Sequence, residues 1–290
     1  MKKTAILFAI IMSFICLLVL PASALDEEKI TLTVDGETDL YITTIDRQRK
    51  GTNPLDGETY DEISGAEVVS EDGHTIASFL PDNDYLIWLN HSDPEVTDAL
   101  NASIESVNWN AELIQLFPVA DRSTLVINPP AHYFSEDGFL FEKLTIIAQP
   151  DAFPAVKFKT DTYAGECTLS VDPAFALFAA KESALESEAE MVFTLFPEYG
   201  ELTLWIAALD HFEDYPGSKF LLNTRITCTD GEKTVSAVSV SDSVPVLSEN
   251  GIIIFNFNSL LSESNDFFSG DLDGDDAYET DSAEGYFKFE

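Results

Sequence analysis

The densest set of chemically competent side chains lies near the C-terminal end. Asp271, Asp273 and Asp275 alternate along Ser269-Gly-Asp-Leu-Asp-Gly-Asp-Asp-Ala-Tyr-Glu-Thr-Asp281, and Asp276, Glu279 and Asp281 follow. Alternate carboxylates in a tight loop can converge on one hard cation, as they do at the start of an EF-hand loop. The segment departs from that pattern at two places. Gly274 stands fourth rather than sixth, and Ser282 stands twelfth where a bidentate Glu belongs. Calcium, weakly held, is the ion such a variant loop would take. The competing reading is a solvated acidic connection with no specific ion, because runs of like charge repel each other.

Other candidates are dispersed. His211 sits in Leu209-Asp210-His211-Phe212-Glu213-Asp214, where carboxylates around an imidazole suit a divalent cation or an acid–base pair. An acidic loop before the strand at Lys219 explains the same residues. The chain has no Gly-x-Ser-x-Gly elbow, no His-Glu-x-x-His pair and no phosphate loop ending in Gly-Lys. With 52 acidic residues, carboxylate pairs suited to glycoside hydrolysis can be drawn almost anywhere, so they carry no signal without geometry. Among the tryptophans, Trp88 and Trp205 lie in apolar runs and read as core. Trp109, between Asn108 and Asn110, reads as the candidate surface platform for a sugar.

Two cysteines, Cys167 and Cys228, remain beyond the first residues. In an oxidising compartment they would pair, closing a loop of about 60 residues. Two buried free thiols are the alternative. Asn90-His-Ser92 and Asn101-Ala-Ser103 are N-glycosylation sequons.

These groups must be positioned by a chain of 290 residues with 45% hydrophobic content, enough to bury a core. Fifteen basic residues against 52 acidic ones give a net charge of −37. That charge repels nucleic acid and anionic membranes and favours divalent cations or basic partners. Residues 1–24 have the three-part layout of a secretory signal peptide. Lys2-Lys3 precede an apolar run from Ala5 to Leu20, and Ala22-Ser23-Ala24 offers a cut after Ala24. No later stretch is long and apolar enough to span a bilayer, so the mature chain is expected to be secreted or at the cell surface, with no membrane span.

Period-two alternation dominates the rest. Ile30 to Val34, Asp39 to Thr43, Tyr85 to Leu89, Glu201 to Ile206 and Lys219 to Cys228 are among the runs that read as strands with one buried face. Asp-Gly or Asn-Gly at 35–36, 72–73, 137–138, 230–231 and 250–251 supplies turn signals. Helices are expected in two places. Asp93-Pro94 opens one carrying Val96, Leu100, Ile104 and Val107 on one face, and Asp172-Pro173 opens another. Gln149 to Pro154, with two prolines, marks a boundary between residues 25–149 and 150–290. The expected fold is thus mainly β, two β-sandwich-like halves with one short helix each, the second carrying the acidic loop at 269–284.

Ile63-Ser-Gly-Ala-Glu-Val-Val69, Leu80-Pro81 and Tyr85 together resemble the prealbumin-like sandwich modules of microbial surface proteins, over about residues 63 to 89. The segment between those two strands departs from their pattern. Export, strand-rich patterning, acidity and the lack of a catalytic set point to a non-catalytic binding or structural module. Its partners would be divalent cations, cell-surface glycans or proteins. The competing function is a secreted polysaccharide-directed hydrolase using dispersed carboxylates.

Overall fold

A computed structural model describes residues 29–36, 38–91, 98–116, 124–128, 141–149, 152–162, 165–176, 189–208, 219–240, 244–247, 251–271 and 285–290. Two large antiparallel sheets dominate these residues.

β1 (Ile30–Asp35) begins the first sheet and β2 (Thr38–Thr44) the second. β3 (Arg49–Thr52) and β4 (Thr59–Asp61) extend the second sheet to its edge, while β5 (Glu67–Glu71) and β6 (His74–Phe79) extend the first. β7 (Tyr85–His91) pairs with the free side of β2. From here antiparallel strand pairs alternate between sheets. β8 (Leu100–Glu105) and β9 (Trp109–Leu116) join the first, and β10 (Thr124–Asn128) and β11 (Glu142–Ala148) the second. β12 (Ala155–Thr162) and β13 (Gly165–Ala176) return to the first, and β14 (Ala189–Phe196) and β15 (Glu201–Ala208) to the second. β16 (Lys219–Thr229) and β17 (Thr234–Ser239) continue the first, with β18 (Val244–Leu247) beside β16. β19 (Gly251–Asn256) and β20 (Phe268–Asp271) close the second sheet, and β21 (Phe287–Phe289) closes the first. A short helix, α1 (Phe257–Leu261), follows β19 directly.

Alternation explains the layering. In β1, Ile30, Leu32 and Val34 are buried while Thr31 and Thr33 are only half-buried. The inward residues of both sheets form one hydrophobic cluster. Aromatic pairs cross between the layers: Phe79 with Tyr85 at 4.2 Å, Phe158 with Phe193 at 5.8 Å, and Phe255 with Phe287 at 6.2 Å. Both sheets run unbroken past the boundary expected at 149–150, since β9 pairs with β12 and β11 with β14.

Neither expected helix forms in the described residues. Leu100–Glu105 is β8, with Leu100, Ala102 and Ile104 buried and Asn101 and Glu105 exposed. Leu100 and Ile104 are four apart, a spacing that fits a helix face and a strand face alike. Ala102 between them and the ladders to β1 and β9 select the strand. Asp172-Pro173 continues β13 as far as Ala176. Pro173 has a partner in β16 but none in β12, whose ladder to β13 ends at Val156–Val171, so no hydrogen bond to β12 is lost. The far part of that expected helix lies outside the described residues. The helix that does form lies elsewhere, directly after β19. β19 ends at Asn256, whose side chain accepts from the Ser259 N–H at 2.9 Å and caps α1.

Candidate functional site

Of the acidic set, Asp271 ends β20 opposite Ile252 and is 4% exposed. Asp273, Asp275, Asp276, Glu279 and Asp281 lie outside the described residues, as does His211. Among the described residues no three His, Cys, Asp or Glu side chains gather closely enough to hold a metal. Cys167 and Cys228 stand opposite each other in β13 and β16 as buried free thiols. Asn90 is half-buried on β7. Asn101 is exposed on β8, where its side chain accepts from the Gln115 N–H at 3.2 Å.

The tryptophans exchange the roles expected of them. Trp109 is 3% exposed, pointing inward from β9 and stacked on Phe158 with ring centroids 5.2 Å apart. Trp88 and Trp205 sit on the outward positions of β7 and β15 and are half-buried. The inward neighbours Ile87, Leu89, Leu204 and Ile206 belong to the core cluster, and neither tryptophan does.

Trp88 is one member of a row built across four strands. The register runs from Trp88 in β7 to Tyr41 in β2, to Gly51 in β3, to Tyr60 in β4. Trp88 and Tyr41 stack with centroids 5.3 Å apart at 30°, and Tyr41 meets Tyr60 at 6.1 Å. Gly51 makes the second contact possible because it places no side chain between the two rings. It has φ +91°, and a Cβ there would lie 1.9 Å from the Leu40 carbonyl oxygen.

Charged groups edge the aromatic row. The Arg49 guanidinium lies 3.8 Å from the centre of the Tyr60 ring. It donates through Nε and Nη2 to both Glu62 oxygens, at 3.0 and 2.8 Å. That pairing raises the Arg49 pKa and lowers that of Glu62. The Tyr60 hydroxyl donates to Glu58 at 2.8 Å, and this bond, with desolvation and Asp56, pushes its pKa up to about 12. The β3–β4 turn is held by side-chain bonds. Asn53 Oδ1 accepts from the Leu55 N–H at 2.9 Å, and Asn53 Nδ2 donates to Asp56 at 2.8 Å. The result is an aromatic row of half-buried Trp88 and Tyr60 about Tyr41, which is 8% exposed and whose ring is tilted 53° from that of Tyr60, beside fixed hydrogen-bonding groups.

The outer faces of the two sheets differ. On the first sheet, Lys157 pairs with Glu112 at 3.1 Å and Arg225 with Glu290 at 2.9 Å. On the second, one register row runs through Leu86, Val126, Thr145, Val192, Trp205 and Ile252 and is apolar apart from Thr145.

One buried carboxylate stands apart from this face. Glu142 is 1% exposed at the start of β11 and accepts hydrogen bonds from Asn108 and Ser106 of the β8–β9 turn and from Trp109 at the start of β9. It ties one sheet to the other. Burial raises its pKa, and the three donors only partly offset that.

Comparison with known protein families, with curated proteins and with solved structures finds no match. Among the described residues no helix is long and apolar enough to cross a membrane.

Proposed function

We propose that this chain is an exported, non-catalytic binding module that holds a surface glycan against the Trp88–Tyr41–Tyr60 row of its second sheet. In this reading residues 1–24 are removed on export and the two sheets are the layers of a long sandwich. The observation that carries it is the aromatic row with its Arg49–Glu62 edge. Sugar rings present C–H faces that pack on aromatic rings, while their hydroxyls seek the carboxylate and guanidinium groups alongside. An aromatic row takes part in no covalent step, which favours binding over hydrolysis.

The test is a glycan array probed with the mature chain, followed by titration of any glycan retained. Trp88→Ala is expected to weaken binding about tenfold, the equivalent of about 1.4 kcal/mol. An array without retained glycans, or equal affinity for Trp88→Ala and wild type, would refute the assignment. Polysaccharide turnover that vanishes on a single carboxylate substitution would replace it with the hydrolase.

A further inference from the structure

We infer that Cys167 and Cys228 are a disulfide site, whose bond staples β13 to β16 and encloses the β14–β15 pair of the opposite sheet. The two residues are directly opposed in the antiparallel ladder. Opposed residues in such ladders have Cα atoms about 4.5 or 5.5 Å apart, depending on the hydrogen-bonding class, and both values fall in the range a disulfide spans. The register is pinned nearby. Glu166 pairs with Thr229, and Gly165 approaches so closely that a Cβ would lie 2.1 Å from the Thr229 carbonyl oxygen. A slip of one residue would turn one thiol away from the core, so the pairing that buries both also opposes them.

Burial sets the order of events. Both thiols are fully buried, and the contact with Cys167, together with desolvation, raises the Cys228 pKa. Exchange needs a thiolate and an access path, so the bond forms while β13 and β16 are pairing and before the core closes. The Cys167 thiolate attacks a disulfide oxidant, a small-molecule or protein disulfide, and releases one thiol from it. The Cys228 thiolate then attacks the Cys167 sulfur and displaces the second. Overall two electrons and two protons pass to the oxidant, which leaves as two thiols. Once formed, the bond is shielded from reductant until the sheet opens. This staple lies in the first sheet, away from the aromatic row, and stands or falls independently of glycan binding.

The chain without residues 1–24, which include Cys16, is refolded with a glutathione redox pair, thiols are counted in denaturant, and the unreduced digest is mapped by mass spectrometry. The expected result is no free thiol and a peptide linking residues 167 and 228. Linkage in a loop of about 60 residues shifts the unfolding equilibrium about a thousandfold, so reduction should lower the melting temperature by about 10 °C. In native buffer the bond should resist dithiothreitol. Two free thiols after oxidative refolding, or links only between copies, would overturn the assignment. So would a Cys167→Ala/Cys228→Ala variant as stable as the oxidised chain. Should that variant not fold, the reduced wild type supplies the same comparison.

Discussion

Gly51 offers the sharpest test of how the aromatic row is built. In Gly51→Ala the new Cβ falls 1.9 Å from the Leu40 carbonyl oxygen and 3.0 Å from its carbon, both backbone atoms that cannot swing aside. The residue must also keep φ near +91°. Left-handed strain in an L-residue costs about 1–2 kcal/mol, and forcing strands apart in a packed sheet adds about 1–3 kcal/mol, so the expected loss is about 2–5 kcal/mol. Gly57 supplies the control. Its φ is +71°, yet a Cβ there meets nothing within 4 Å. Gly57→Ala should therefore show the strain alone, about 1–2 kcal/mol. Urea titration followed by tryptophan fluorescence measures both, with Trp88 reporting locally on the row. Equal losses in the two variants would refute the close-approach argument, and a Gly51→Ala within about 1 kcal/mol of wild type would refute the geometry.

Two further outcomes test the core. Phe158 stacks between Trp109 and Phe193 and joins the sheets, so Phe158→Ala should cost about 3–5 kcal/mol in urea unfolding, and a loss below about 1 kcal/mol would mean the layers do not meet there. Glu142 has a folded pKa raised above its unfolded one, so its stabilising contribution is present below the unfolded value and is lost as pH rises through the folded one. Measured from about pH 4 to about pH 8, the stability of Glu142→Gln should rise relative to wild type as pH increases, and a constant difference would show that Glu142 titrates as it does in the unfolded chain.

Alternation made the strands legible wherever polar residues marked one face, as in Ile30-Thr-Leu-Thr-Val34. It was blind to parity in Tyr85-Leu-Ile-Trp-Leu89, where every residue is apolar. Trp88 there points outward because Tyr85, Ile87 and Leu89 take the core positions. Trp109 stands between two asparagines, yet it shares its parity with Ala111 and Leu113, which are buried. Reading that alternation backward from Leu113 would have placed it inside. Arg49, Gly51 and Tyr60 carried no local signal. β3 and β4 are short, β3 does not alternate, β4 has only three residues, and the row depends on a register between strands that no single segment encodes.

The alternating addition of strand pairs has a mechanical consequence. Tension applied between β1 and β21 would run across the strands, along the hydrogen bonds, and pass through their interfaces one after another. Links in series fail at the weakest. In the first sheet the shortest ladder on that path joins β17 to β21 and has three register pairs. The stack would therefore yield first at its C-terminal edge, with β21 parting from β17, rather than rupture as a unit.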